Sequence, residues 1–191
     1  MKEKEKERGR VKKLFPVLAQ IKDISLQEKV VDVWLRAWKA GNFRYFDGPS
    51  QWEPFRKKVR LSNVDHTNQV ALCAIAMARM IEETQRVRVN LDYLIAGAIL
   101  HDVDKFMIFD AKTANLSALG KQFNHTFLSG HLALAAGLPP EVAHIAAAHS
   151  PNFSAVEPQT VEALIVRQAD HLMAGSWNMK RKVKVNYKMG K

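Results

Sequence analysis

Several histidines and aspartates of this 191-residue chain fall where predicted helices begin or end. The adjacent pair His101-Asp102 closes a nearly all-apolar segment, Leu91 to Leu100. Burying an unpaired carboxylate costs on the order of several kcal/mol, so this pair needs solvent, an ionic partner or a metal ion. An adjacent His and Asp occur together in many proteins, and the pair alone leaves these three alternatives open.

Further side chains of the same chemical type fall at comparable places in other predicted helices. Imidazole and carboxylate together suit borderline divalent metals, including Mn, Fe, Co, Ni and Zn. A carboxylate can also bridge two ions through its two oxygens, so six such groups are enough for one or two divalent transition-metal ions. The candidate metal ligands are His66, His101, Asp102, His125, His149 and Asp170.

The remaining histidines are expected to lie outside this set. His131 is six residues beyond His125, about 120° away around a helix, and His144 is similarly offset from His149. We therefore expect both at the surface or partly packed. His171 directly follows Asp170 and is expected to point elsewhere.

Hydrophobic spacing near 3.6 residues predicts an all-α fold, and no convincing period-two alternation indicates a sheet. Residues 41–62 carry Gly and Pro among aromatics and are expected to form an irregular connection. The predicted helices span residues 26–40, 64–83, 91–101, 124–136, 140–149 and 161–173.

The net charge of +10 is concentrated at the two ends of the chain. Residues 1–13 carry +4 and residues 179–191 carry +6, whereas residues 14–178 contain 16 basic and 16 acidic side chains. We predict a single helical domain over 14–178 between two basic tails. The tails could hold nucleic acid, but solvated termini are the commoner case, so a nucleic-acid partner is not favoured.

The sequence indicates neither a membrane protein nor a disulfide framework. The longest apolar run, from Tyr93 to Leu100, spans eight residues, far short of the roughly 20 needed to cross a bilayer. No apolar stretch of a secretory signal follows the charged N-terminal residues, which favours a cytoplasmic protein. The lone Cys73 excludes an intrachain disulfide and is expected to pack as a small hydrophobe.

The order of the candidate ligands resembles the HD superfamily of metal-dependent phosphohydrolases, over roughly residues 60–175. The family pattern is H, then HD, then two further H in many branches, then D. Lys105 reproduces the HDxxK extension of several branches, and Gly137-Leu-Pro resembles the stretch between the two extra histidines. The twelve-residue distance from His125 to Gly137 matches the family, which favours His125 over His131 as a ligand.

The resemblance implies an all-α HD-domain helical bundle around a metal site. His66, His101, Asp102 and Asp170 would hold one ion, His125 and His149 would hold a second, and Asp102 would bridge the two. The implied enzyme hydrolyses a small phosphoester or phosphoanhydride through a metal-bridging hydroxide. Asp102 and Lys105 would be catalytic, whereas Lys105 and Arg167 would contact the phosphoryl group of the substrate.

The substrate is less closely specified than the metal site. Asn63-Val-Asp65 stands where the family often has an arginine or a small run, and Pro151-Asn-Phe replaces the GYP segment typical of cyclic-dinucleotide enzymes. We therefore expect a nucleotide or another small phosphoester. The alternatives are a di-iron oxygenase on the same scaffold and a catalytically inactive module that binds nucleotide or nucleic acid.

Overall fold

The computed structural model describes residues 2–51, 53, 57, 61–180 and 182, and the regular elements in this part of the chain are helical. The prediction of an all-α fold is confirmed. A 3-10 turn, Pro16–Gln20, follows the first helix. The α-helices are α1 (Lys2–Leu14), α2 (Ile24–Ala40), α3 (Asn63–Gln85), α4 (Leu91–Leu100), α5 (Lys105–Ile108), α6 (Ala118–Gln122), α7 (His125–Ala135), α8 (Pro140–Ala148) and α9 (Val161–Lys180).

Side-chain caps fix where three of the helices that bear the site begin. Ser62 accepts a hydrogen bond from the N–H of Asp65 at the start of α3, and Asn90 accepts one from Tyr93 at the start of α4. Asn124 caps α7 in the same way. Such caps satisfy N–H groups that have no partner inside the helix, typically contributing about 1 kcal/mol. Each capping residue therefore fixes the start of its helix, and with it the positions of the site residues that the helix carries.

Helix α4 is the centre of the bundle, and its residues 94–100 are all buried. It packs against α2, α3, α8 and α9. Trp34 of α2 is fully buried and donates its indole N–H to the carbonyl of Ile99 at 3.1 Å. Apolar contacts thus hold the central helix on several sides. The polar residues that follow it, His101 and Asp102, lie in the protein interior as a result.

Gly97 allows α4 and α8 to approach closely. A Cβ atom at this position would lie 2.4 Å from Cγ2 of Ile145 and 2.6 Å from its Cβ, closer than any ordinary van der Waals contact. Four residues beyond Gly97 and Ile145 lie His101 and His149, at the ends of the two helices. The contact therefore sets the separation of two predicted ligands.

The N-terminal segment that we predicted as a basic tail is helical from Lys2 onwards. In α1, Val11 is fully buried and the guanidinium of Arg8 forms ion pairs with Glu28 and Asp32 of α2. Most of the predicted C-terminal tail lies outside the described residues, and the helix before it, α9, extends seven residues beyond its predicted end. No helix in the described part of the chain is long and apolar enough to cross a membrane.

Two short helices, α5 and α6, were not predicted from the sequence. Helix α5 has four residues and begins three residues after Asp102, and α6 lies shortly before α7. Part of the connection that we expected to be irregular, residues 41–62, lies outside the described residues.

Candidate metal centre

The six predicted ligands converge on one buried point, although they come from five separate parts of the fold. His66 lies in the first turn of α3, whereas His101 and Asp102 directly follow α4. His125 is the first residue of α7. His149 directly follows α8, and Asp170 projects from the middle of α9.

The two carboxylate oxygens of Asp102 face two different pairs of histidines. Its Oδ2 lies 3.2 Å from Nε2 of His101 and 3.7 Å from Nε2 of His66. Its Oδ1 lies 3.6 Å from Nδ1 of His125 and 3.7 Å from Nε2 of His149. Asp102 thus stands between two groups of potential ligands and belongs to both.

Asp170 joins the first of these groups. Its Oδ1 lies 2.9 Å from Nε2 of His66 and 3.8 Å from Nε2 of His101. Burial on its own would raise the pKa of Asp170, but the hydrogen bond from His66 and the charges of the neighbouring imidazoles lower it to about 2. The carboxylate is therefore ionised at neutral pH.

Backbone carbonyls orient two of the imidazole rings. Nδ1 of His101 lies 2.7 Å from the carbonyl oxygen of Ala98, and Nδ1 of His149 lies 2.7 Å from that of Ala146. A carbonyl can only accept, so each Nδ1 carries a proton, and each Nε2 faces Asp102. A ring held in this way by a backbone carbonyl is typical of metal-binding histidines.

The chemistry of the group fits a divalent cation. His66, His101 and His149 are at most 1% exposed. Nδ1 of His66, Nε2 of His101 and Nδ1 of His125 have no hydrogen-bond partner among the described residues. Buried polar atoms normally have partners, and imidazole nitrogens beside carboxylates are the ligands that Mn, Fe, Co, Ni and Zn accept.

Lys105 contacts the centre directly, as the first residue of α5. Its Nζ donates to Oδ2 of Asp102 and to the backbone carbonyl of Gln51, both at 2.5 Å, and the side chain is almost fully buried. Burial would raise the pKa of Asp102, but the ammonium of Lys105 and the imidazole of His101 hold it well below its ordinary value. The central carboxylate is therefore kept charged.

Arg167 is the predicted site residue that the structure does not bring to the centre. Its guanidinium forms an ion pair with Glu157 in the loop between α8 and α9, and it does not line the cavity over the ligands. One turn of helix separates it from Asp170, but its side chain turns towards the loop. The geometry does not support the expected phosphate contact, because the guanidinium is already occupied.

The other three histidines, His131, His144 and His171, do not belong to the two groups of potential ligands. His131 is exposed and its ring stacks on Phe127, and Nε2 of His144 accepts the backbone N–H of Gln159. His171, which we expected to point elsewhere, lines the cavity over the ligands.

Two buried polar residues of the site were missed from the sequence. The side-chain amide of Asn63 donates to the backbone carbonyl of Asp102 at 3.0 Å and so fixes the backbone of the His-Asp pair. Asp104 is fully buried, and burial raises its pKa although the neighbouring His125 lowers it. A second acidic residue two positions after Asp102 was the available signal, but it did not show which way that side chain points.

A cavity of about 430 Å³ opens above the centre. It is lined by Asp102, Lys105, His125, His149 and Asp170, and by a mixture of apolar and polar side chains. The carbonyl of Phe153 accepts hydrogen bonds from Asn124 and Thr126, which flank His125. The phenylalanine residues that line the cavity are Phe109, Phe123 and Phe153.

A helical bundle with this histidine–aspartate centre defines a class of metal-dependent phosphohydrolases. The sequence profile of the HD domain matches residues 63–175, and the chain belongs to the HD domain family. The chain is also 32% identical, over 174 residues, to the dihydroneopterin 2',3'-cyclic phosphate phosphodiesterase of Methanocaldococcus jannaschii, covering 84% of this chain and 67% of that protein. No solved structure matches the chain significantly.

The family and the relative together confirm the prediction of a hydrolase. The chain is a metal-dependent phosphohydrolase that acts on a small phosphoester. It depends on divalent metal, as HD phosphohydrolases do.

Proposed function

We propose that this protein hydrolyses the cyclic phosphodiester of a small molecule that carries a planar heterocycle, with a pterin 2',3'-cyclic phosphate as the leading candidate. The observation that carries the proposal is the position of Asp102 between two histidine groups, at the bottom of a cavity with aromatic walls. The similarity to a pterin cyclic phosphate phosphodiesterase supports the same substrate class.

The proposed ligands divide according to the two oxygens of Asp102. The group on the Oδ2 side, His66, His101 and Asp170, would hold one divalent ion, and the group on the Oδ1 side, His125 and His149, would hold a second. Mn, Fe, Co, Ni and Zn all suit these ligands. Such ions, when bound, lower the pKa of water and withdraw negative charge from phosphoryl oxygens.

Asp102 and Lys105 are the proposed catalytic residues of the chain itself. Opening the cyclic diester breaks one P–O bond, adds the elements of water, and leaves a phosphomonoester beside a free hydroxyl. The attacked phosphoryl group gains negative charge in the transition state, and the Lys105 ammonium lines the cavity, where it can stabilise that charge. Its hydrogen bond to Gln51 keeps the ammonium in place.

The cavity favours one small substrate over a polymer or a cyclic dinucleotide. Its volume of about 430 Å³ lies towards the lower end of the range for small-molecule sites, roughly 300–1,000 Å³. Phe123 and Phe153 line it, and aromatic rings stack on planar heterocycles whatever their substituents. A nucleotide base and a pterin both meet this requirement, so a nucleoside 2',3'-cyclic phosphate is the second candidate.

The test is product analysis by phosphorus NMR with metal-loaded protein. The panel contains dihydroneopterin 2',3'-cyclic phosphate, nucleoside 2',3'-cyclic phosphates, a cyclic dinucleotide and simple phosphomonoesters. We expect ring opening of 2',3'-cyclic phosphates only, and its loss in Asp102→Asn. Oxygen consumption without phosphoester cleavage in the same samples would contradict the proposal and favour the oxygenase.

A second experiment tests the aromatic walls. Phe153→Leu should raise KM for a pterin or nucleoside cyclic phosphate several-fold, while leaving KM for the cyclic phosphate of an aliphatic diol unchanged. Tyr45→Leu is the matched control, because Tyr45 is an exposed aromatic residue that does not line the cavity. Equal changes for aromatic and aliphatic substrates would show that the ring of Phe153 does not recognise the heterocycle.

A further inference from the structure

Asp104 is a fully buried carboxylate that has no place in the proposed ligand set or mechanism. Its Oδ1 accepts a hydrogen bond from the hydroxyl of Ser129 at 2.9 Å and lies 3.7 Å from Nδ1 of His125. Its Oδ2 has no hydrogen-bond partner among the described residues. A buried charge of this kind is costly unless it serves a neighbouring group.

Both neighbours of Oδ1 belong to α7, where Ser129 follows His125 by about one turn of the helix. The backbone of Asp104 is fixed independently, since its carbonyl accepts the N–H groups of Met107 at 2.7 Å and Ile108 at 3.0 Å. The carboxylate therefore reaches from the start of α5 to the start of α7. Hydrogen bonds hold both the backbone and the carboxylate of Asp104. The carboxylate faces the imidazole of His125.

His125 differs from His101 and His149 in how its ring is held. His101 and His149 each donate Nδ1–H to a carbonyl three residues earlier in their own helices. His125 begins α7, so no preceding helical turn offers such a carbonyl, and its buried Nδ1 has no hydrogen-bond partner among the described residues. The ring packs edge-on against the rings of His149 and Phe153, and no backbone carbonyl of its own helix fixes its nitrogen atoms.

We propose that Asp104 is a positioning residue for His125, an inference that rests on the proposed second ion site. Its carboxylate and that of Asp102 lie 3.7 and 3.6 Å from the same ring nitrogen, Nδ1, and together they keep that nitrogen turned towards the second ion site. Asp104 also supplies a negative charge beside the second ion site. Outer carboxylates of this kind typically change metal affinity about 10–100-fold when they are removed.

The test is metal binding by chelator competition, with thermal unfolding of the metal-free protein as a second readout. Asp104→Asn keeps the size of the side chain and an acceptor for Ser129, but it removes the charge. We expect the binding of one ion to weaken about 10–100-fold while the other ion is retained. Ser129→Ala, which leaves the carboxylate in place, should weaken metal binding much less.

A double-mutant cycle separates positioning from a general structural role. The His125→Ala background is expected to keep only the first ion, and there Asp104→Asn should not weaken the binding of that ion, because the ring that it positions is gone. Weaker binding of the first ion in that background, or no weakening of the second ion in the wild-type background, would overturn the role of Asp104. Wild-type protein that binds no second ion would instead refute the two-ion site of the proposed function.

Discussion

Gly97→Ala should damage the metal centre from a position that touches none of its ligands. The new Cβ would meet three atoms of Ile145 at 2.4 to 2.9 Å, whereas carbon atoms pack at about 3.5–4.0 Å. Helices α4 and α8 must therefore separate by roughly 1 Å. His101 and His149, which follow these helices, would move apart with them.

The magnitude follows from two opposing effects. Overpacking typically costs about 1–3 kcal/mol, and the short distances to Ile145 place this site at the upper end. Replacing glycine by alanine inside a helix stabilises the folded protein by about 1 kcal/mol. We expect a net loss of about 1–2 kcal/mol, which lowers Tm by roughly 3–6 °C in a chain of this size.

The loss of activity should exceed what the loss of stability explains. A displacement of about 1 Å in a catalytic arrangement can cost around 100-fold, so kcat/KM in folded protein should fall by a factor between about 10 and 100. Calorimetry, metal titration and cyclic phosphate hydrolysis measure the three effects. In the matched control, Gly175→Ala in α9, a Cβ meets nothing within 4 Å, so Tm should rise by about 2–4 °C with unchanged activity.

The result that refutes this reasoning is a Gly97→Ala protein with wild-type metal affinity and wild-type kcat/KM. The spacing of α4 and α8 would then not control the ligands at their ends. A fall in Tm with full activity would likewise show that the strain is absorbed in the bundle before it reaches His101 and His149.

Three further predictions concern other parts of the site. His125→Ala should lose about one ion per chain by elemental analysis, whereas His131→Ala should keep both; the reverse would mean that the ligand was assigned to the wrong residue. Arg167→Gln and Glu157→Gln should have equally small effects on KM, because each breaks the same ion pair; a rise in KM for Arg167→Gln alone would restore the phosphate contact. Burial lowers the pKa of His149 from 6.5 to about 3. As the pH falls, the unfolded chain therefore binds this proton before the folded protein does. The contribution of His149 to the stability of metal-free protein is complete above pH 6.5, and it falls towards pH 3 by up to about 1.4 kcal/mol per pH unit. The free energy of unfolding, measured with urea, should fall less steeply with pH in His149→Gln than in the wild type. Identical slopes in the two proteins would refute the lowered pKa of His149.

The residues that could be predicted from the sequence are those whose local pattern carries the information. Apolar spacing and capping residues mark α3, α4 and α7, so the ends of these helices fall within about two residues of their predicted positions. Where two such helices pack against each other, the histidine and aspartate side chains that they carry can come into contact. His66 and Asp170 are an example, since their helices α3 and α9 pack against each other.

The residues that could not be predicted depend on contacts distant in the sequence. Helix spacing places Arg167 beside Asp170, but Glu157, in a loop without a repeating pattern, captures its guanidinium. The direction of the Asp104 side chain depends on where α7 places Ser129, 25 residues later in the chain. Helix α1 has a single buried residue, Val11, and its ion pairs reach α2 through Arg8. Nothing within residues 2–14 signals a partner of this kind.

The hydrogen bond between His66 and Asp170 joins residues 104 positions apart. Closing a loop of that length costs chain entropy before any contact compensates for it. During synthesis, the first group of ligands therefore cannot form until α9 has been made and has docked on α3. Capture of the first ion would accordingly mark the end of folding, and a chain shortened before residue 161 would retain Asp102, His125 and His149 but could not close the centre around Asp102.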